Sequence, residues 1–349
     1  HLHEARITVL DGSNVLPRHL NKHIDYSIVP SPPGTADASL ATPVGMAVSS
    51  DGATLYVAGF GSQKIGVYDT AKLEADTFQT QPADGVRYVS LAAGGPSGMV
   101  LDEAHQRLYV LTRFDNSISV VNTATLTEDP SLKRPLYNPE PASVVNGRHF
   151  LYDAAFTSSN GEASCSSCNV FGNFDSLAWD LGDPDNSVVP NPNPFERPFS
   201  GAVFHPMKGP MTTLSLRGLS NDGPMHWRGD RTGGQFPGDP AALDARLAFA
   251  AFNVAFDSLL GRDEGGLQPA EMQAFSDFIL QVALPPNPVR SLDNQLTSEQ
   301  QSGRDSFFNH FGVDTVASCN GCHTLDPALG FFGSGGLTTF ETESQEFKV

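Results

Sequence analysis

The sequence predicts a multidomain chain: about two blades and a remnant of an antiparallel β-propeller, followed by two mainly α-helical modules. Three observations predict this. Residues 43–74 and 96–127 match without a gap at an offset of 53. All four cysteines lie in two C-x-x-C pairs about 150 residues apart. Between and around those pairs the periodicity of apolar residues changes from two to that of a helix.

Composition bounds the classes. A chain of 349 residues with 39% hydrophobic content is long enough for two or three domains with true cores. Its net charge of −18 argues against nucleic acid, whose affinity rests on basic side chains neutralising phosphates. Such acidity suits solubility and a basic redox partner. No apolar run reaches the length of a membrane span. The start at His1 reads as a removed leader or a fragment.

In the repeat, Pro43 aligns with Pro96, Met46 with Met99, and Leu55-Tyr56-Val57 with Leu108-Tyr109-Val110. Ile65 and Val67 align with Ile118 and Val120, and Asp69-Thr70-Ala71 with Asn122-Thr123-Ala124. Short alternating runs separated by Gly, Asp and Ser predict antiparallel strands joined by tight turns, and this period suggests propeller blades. Arg6-Ile7-Thr8-Val9-Leu10-Asp11 reads as the last strand of an earlier blade. Closed propellers need about four blades or more, so further N-terminal blades are expected. The pattern LYV…I-x-V-x-D-T resembles the YVTN-type β-propeller repeat, whose members are extracytoplasmic. Met46, Met99, Tyr56 and Tyr109 read as core, and the blades as a docking or assembly platform. His1, His3, His19 and His23 have irregular spacing and do not read as a metal site.

Residues 1–128 are assigned to the partial propeller and the Pro-rich residues 129–145 to a linker. The first helical module spans 146–290 and the second, which looks truncated, 291–349. In the first, Gly147-Arg148-His149-Phe150-Leu151 opens a helix-like stretch that leads to Cys165-Ser166-Ser167-Cys168-Asn169. An apolar helix is expected over 241–260. Another is expected from Gln268-Pro269 to Val282, with Pro in its first turn. Thr297 or Ser298 is expected to cap a helix in the second module, carrying Gln300 and Gln301.

The second module holds Cys319-Asn320-Gly321-Cys322-His323, which reads as a c-type haem attachment site. Two thiols three residues apart each bond a haem vinyl group, and the next imidazole serves as proximal ligand. Gly303, Phe307 and Phe308 precede it at the distance of a haem-packing helix. Cys165 and Cys168 repeat this layout and predict a second haem, but Asn169 stands where the proximal His belongs. Covalent haem attachment favours a periplasmic or cell-surface location. The bland alternatives are a redox dithiol or a zinc site.

After the first pair come Thr213-Leu214-Ser215-Leu216-Arg217-Gly218 and Pro224-Met225-His226-Trp227-Arg228-Gly229. These resemble the bacterial di-haem cytochrome c peroxidase superfamily, in which a T-x-x-L-R-(N/G) segment precedes a P-x-x-H-x-G segment. Here the His follows the Pro by two residues instead of three. The resemblance implies roles beside the haem for Arg217 and His226, with Trp227 a weaker candidate for an electron path. Met207, Met211, Met225, His205 and His226 are the candidate sixth ligands, with Met225 or His226 preferred. No counterpart of these segments follows His323, so the second module is expected to continue further. Asp175, Asp180, Asp183 and Asp185 form an acidic loop, weighed as a calcium site because the superfamily carries one, although the spacing fits no EF-hand.

The sequence thus predicts an extracytoplasmic multihaem cytochrome that transfers electrons, with a peroxidase-like oxidoreductase as its enzymatic form. The alternatives are a non-catalytic electron conduit and a surface binding protein with structural cysteines.

Overall fold

The computed structural model describes residues 3–80, 85–180, 189–190, 203–204, 210–220, 225, 244–310, 318–322, 324–326 and 331–333. The chain begins with an antiparallel hairpin of β1 (Arg6–Asp11) and β2 (Asn14–His19). Gly12, at φ +57°, opens its two-residue turn, where the tight hairpin turns require a left-handed residue.

Two larger antiparallel sheets follow, and they are the two copies of the repeat. The first runs in the order β3 (Pro43–Val48), β4 (Thr54–Gly59), β5 (Lys64–Asp69), β6 (Arg87–Ser90). The short helix α1 (Thr70–Glu74) links its last two strands, and Asp69 caps it by accepting from the Lys72 N–H. The second sheet comprises β7 (Pro96–Asp102), β8 (Arg107–Thr112), β9 (Ser117–Asn122) and β10 (Thr127–Glu128). Strands β7, β8 and β9 each begin 53 residues after β3, β4 and β5. Residues 129–145, which lack periodicity, are partly tied to this sheet. Strand β11 (Arg134–Pro135) pairs with Ile118 and Ser117 of β9.

Alternation decides what the strands bury. Tyr56, Ala58, Ile65 and Val67 of the first sheet form one core with Leu108, Val110 and Val121 of the second. Ala47, Met99 and Leu101 pack at its margin. The opposite face of the first sheet, with Val57 and Tyr68, packs on Ile7, Leu20 and Leu40. Each large apolar side chain so buried contributes about 1.5–3 kcal/mol. The sheets approach closely at β3 and β7: a Cβ on Gly45 would lie 1.9 Å from the Ser97 carbonyl oxygen.

The remainder is short helices and small hairpins. By contacts the chain divides into one unit of His1–Cys168 with Val254–Phe278 and another of Asn169–Asn253 with Ile279–Val349. In the first unit, α2 (Ala142–Gly147), α3 (His149–Tyr152) and α4 (Ala154–Thr157) follow the sheets. The Ala154 N–H donates to the Gly61 carbonyl, and Gln63 Nε2 donates to Asp153 Oδ2 at 2.5 Å.

The helix expected over 241–260 is corrected. Asp244 caps α5 (Ala245–Ala250) by accepting from Leu247 N–H, a tighter turn over Ala251–Asn253 interrupts it, and α6 (Val254–Ser258) resumes. Its apolar pattern continues across the break, so periodicity alone hides it. Helix α7 (Pro269–Ile279) starts at the predicted proline and stops three residues before Val282. In the second unit, α8 (Ser298–Asn309) starts as expected. Thr297 Oγ1 accepts from Gln300 N–H, while Gln300 Oε1 accepts from Thr297 N–H at 3.0 Å. No helix among the described residues is long and apolar enough to cross a membrane.

Candidate functional site

The second cysteine pair lies on a single helical turn, α9 (Cys319–Cys322), which packs against α8. Positions three apart on such a turn share a face. Cys319 is a half-buried free thiol. On α8, the Phe307 and Phe308 rings meet edge-on at 5.2 Å, and the Arg304 guanidinium lies 4.8 Å from the Phe308 ring. Gly303 is on the same helix, and a Cβ there would meet nothing within 4 Å. After the turn, β16 (Thr324–Asp326) pairs with β17 (Phe331–Gly333). His323, the proximal ligand expected from sequence, lies outside the described residues.

The first pair sits on a 3-10 turn, Cys165–Ser167, with Cys168 at its end. The Ser164 N–H donates to Ser167 Oγ at 3.1 Å and fixes the start of the turn. Neither cysteine is in a disulfide. Cys165 keeps some surface exposure, but its sulfur is so crowded by protein that burial pushes the thiol up to about 12, with Cys168 adding to the shift. Redox dithiols need a depressed thiol pKa, and the shift at Cys165 runs the other way.

The first pair's turn packs on α3, and the helix just before α3 makes a close crossing. A Cβ on Gly147 would lie 2.2 Å from the Ala274 carbonyl oxygen and 2.4 Å from Phe278 Cβ, so α2 touches α7 backbone to backbone. Around the crossing, Phe275 has its ring 6.1 Å from Phe150 and 6.2 Å from Phe256. Arg148, next to Gly147, is buried and pairs with Glu140.

In the second unit, the segment 213–218 is pinned to the loop that follows Cys168 in the chain. Asn169 Nδ2 donates to the Leu214 carbonyl at 2.7 Å, and the Leu216 N–H to the Gly172 carbonyl at 3.0 Å. Arg217 is half-buried, and its Nη2 donates to the Phe171 carbonyl at 3.3 Å. The structure therefore packs the segment carrying Arg217 on the loop carrying Asn169. It leaves one amide hydrogen of Asn169 committed to the backbone.

Met225 is buried at 3% exposure. Met211 is placed only through its backbone, in the short strand Pro210–Thr212, which pairs with Ala178–Asp180. His205, Met207, His226 and Trp227 lie outside the described residues.

Of the acidic loop, Asp175 is engaged structurally. It accepts from Leu177 N–H at 2.9 Å, Trp179 Nε1 at 2.8 Å and Thr213 Oγ1 at 2.7 Å. Burial works to raise its pKa, but these donors outweigh it and the carboxyl sits below its ordinary value. Asp183 and Asp185 lie outside the described residues, as does the Asp180 side chain. Among the described residues no group of three or more His, Cys, Asp or Glu could hold a metal ion.

Sequence reasoning missed Glu162. Its buried carboxylate accepts from the Ala5 N–H at 2.8 Å, Asn21 Nδ2 at 2.7 Å and Tyr26 OH at 2.5 Å, and His19 Nε2 lies 2.9 Å away. Burial alone would raise its pKa, yet the hydrogen bonds from His19, Tyr26, Ala5 and Asn21 hold it below the ordinary carboxylate value. Burial and the neighbouring carboxylate push Tyr26 far above its ordinary value. Burial lowers His3 and His23. Of the irregularly spaced histidines, His19 bonds this carboxylate and His3 and His23 feel its charge, while His1 lies outside the described residues; the node has no signature in sequence spacing.

No protein-family model matches the chain, and no curated protein matches it. Two solved structures show a likeness. One is hydrazine synthase of Kuenenia stuttgartiensis, 24% identical over 28% of this chain and 24% of that one, with a TM-score of 0.22. The other is the Kuenenia stuttgartiensis hydrazine synthase pressurized with 20 bar xenon, 21% identical over 60% of this chain and 55% of that one, with a TM-score of 0.36. The chain therefore spans about a quarter and about half of those chains' lengths. Superposition this loose assigns neither fold nor function, and the reading of the chain rests on its own residues.

Proposed function

We propose that the protein is an extracytoplasmic c-type cytochrome that passes single electrons, with haem c held by Cys319 and Cys322 and ligated by His323. The observation that carries this is the C-x-x-C-H run whose two cysteines share one helical turn packed on the Phe307–Phe308 helix. The residues fit the group. Cys319 is in no disulfide, both cysteine positions share one helical turn, and an aromatic helix abuts that turn. When bound, haem supplies a one-electron couple whose potential follows its axial ligands and burial.

A second haem at Cys165 and Cys168 belongs to the same proposal. It is supported by two cysteines outside any disulfide, by the packing of their turn on α3, and by the repeated layout. Its iron ligand must come from elsewhere than the Asn169 amide nitrogen, which donates to Leu214. Met225 or His226, the residues preferred from the sequence, are proposed for an axial position. The two sheets are read as blades of a YVTN-like propeller that serve as a docking or assembly platform.

Intact mass with a reduced-haem absorption spectrum tests this. Two covalent haems are expected. One haem, lost in the Cys319→Ser/Cys322→Ser variant, reduces the protein to a single-haem electron carrier. No covalent haem in material matured with c-type attachment machinery overturns the proposal.

A second reading is a peroxidase-like oxidoreductase. It is favoured by Arg217, held half-buried on the loop after the first pair. That reading requires high-spin absorption and reaction with peroxide. A wholly low-spin spectrum indifferent to peroxide assigns the protein to electron transfer alone.

A further inference from the structure

The two oxygens of the buried Glu162 carboxylate have different tasks. Oε1 takes the Ala5 N–H at 2.8 Å, Asn21 Nδ2 at 2.7 Å and His19 Nε2 at 2.9 Å. Among the described residues Oε2 takes only the Tyr26 hydroxyl, at 2.5 Å. One oxygen is therefore the anchor and the other faces a single phenol. A protonated carboxyl keeps its acceptor capacity on the oxygen that carries no hydrogen. Oε2 can thus take up the phenolic proton, and return it along the same bond, while Oε1 keeps all three donors.

Other tyrosines lie differently. Tyr68 and Tyr88 act on each other, no carboxylate acts on either, and burial raises both. Tyr137 is 87% exposed, so water is its proton acceptor. Tyr26 is half-buried and has its acceptor built in.

The pair also stands close to the first cysteine turn. Glu162 precedes Cys165 by three residues in the same compact unit. Three residues of chain span at most about 11 Å. Asn160 Oδ1 accepts from the Glu162 N–H at 2.9 Å, and the Ser164 N–H donates to Ser167 Oγ at 3.1 Å, so the short path between them is fixed at both ends.

We propose that Tyr26 is a redox-active tyrosine that passes single electrons by exchanging its proton with Glu162. In the forward step Tyr26 loses one electron to a peroxide-oxidised haem. Its O–H bond breaks, and the proton forms an O–H bond at Glu162 Oε2 that donates back to the phenoxyl oxygen. In the return step one electron from a reducing partner and the same proton restore the phenol. The pair goes from one negative charge to none, so no unpaired cation is created in a desolvated place. A nearby anion also favours removal of an electron from the phenol. The biological oxidant is the one that the peroxidase-like reading requires, and in that respect the proposal rests on that reading.

The test is flash photolysis of the ferric holoprotein with photogenerated ruthenium(III) tris(bipyridyl) as oxidant. Transient absorption follows the kinetics, and electron paramagnetic resonance of frozen samples identifies the radical. A Tyr137→Phe background removes a solvated phenol. A tyrosyl radical is expected there, with its yield lowered at least fivefold by Tyr26→Phe, which leaves Oε1 and its donors in place. Its formation should slow in D2O and be independent of buffer concentration, because the acceptor is fixed. Hydrogen exchange checks that the variant keeps its fold. Absence of a tyrosyl radical, a radical undiminished by Tyr26→Phe, or a rate that climbs with buffer concentration overturns the proposal. Peroxide added to the holoprotein separates the two ideas. The same radical formed by peroxide supports both. A radical formed by light alone supports Tyr26 as a redox site served by an external oxidant and removes the peroxidase-like reading.

Discussion

Glu162 is the most heavily loaded single residue described. Its carboxylate ties the backbone before β1, the segment after β2 and the stretch leading to Cys165 through four partners. Removing a buried charged acceptor leaves its donors unsatisfied. Glu162→Ala is therefore expected to cost about 3 kcal/mol in unfolding free energy. Urea denaturation followed by tryptophan and far-ultraviolet signals reads this, and a loss below about 1 kcal/mol, as for an ordinary exposed pair, would show the node to be dispensable.

The same cluster predicts a pH dependence. His3 and His23 are held below their ordinary value by burial, so the unfolded chain binds protons there that the folded chain resists. Stability should fall as pH drops through about 6.5. Glu162 acts further into acid. Its folded value is depressed, so its contribution is complete above the unfolded carboxylate value and is lost as pH falls through the folded one. Asp153, raised by burial, works in the opposite sense. The urea midpoint measured from neutral to mildly acid pH should decline, and a flat profile would contradict the node.

At the scale of elements, the crossing of α2 and α7 has one soft spot. Gly147→Ala forces a methyl group into the Ala274 carbonyl and Phe278, and neither contact is the far end of a flexible side chain. A loss of about 2–3 kcal/mol is expected, the range of overpacked sites. Thermal unfolding of the variant measures it, with Gly303→Ala, open on α8, expected instead to gain about 0.5–1 kcal/mol.

Much of this level was legible beforehand. The offset of 53 places strands β3–β5 and β7–β9, Pro269 marks the start of α7, and Thr297 with Gln300 marks that of α8. The break after Ala250 was not, because its residues keep an apolar pattern while the backbone tightens. Nor was the Glu162 node: its partners lie 136 to 157 residues away, and no local periodicity encodes a contact at that distance. In the candidate site, the cysteine pairs were legible as a motif. The bond from Asn169 to Leu214 was not, since a side-chain amide can satisfy any nearby carbonyl.

For the whole molecule, charge is the property that sequence fixes most directly. A net −18 spread over 349 residues surrounds the protein with a negative field. Electron transfer with a basic redox protein should then be steered by that field. Stopped-flow oxidation of the reduced protein by a basic cytochrome is expected to slow as ionic strength rises, because the Debye length shrinks to about 8 Å at physiological salt. A rate indifferent to salt would point to a neutral or acidic partner.

The repeat carries one further lesson, in Gly45 and Gly98. They are the same letter in two copies of one unit, yet their freedom differs. Any side chain at Gly45 drives into Ser97, whereas a Cβ at Gly98 meets nothing within 4 Å. Duplication made the two positions identical, and neighbourhood alone sets their tolerance to drift. Sequence identity between repeats is therefore no measure of shared constraint in this chain. Gly98 is free to diverge for as long as its face stays uncovered.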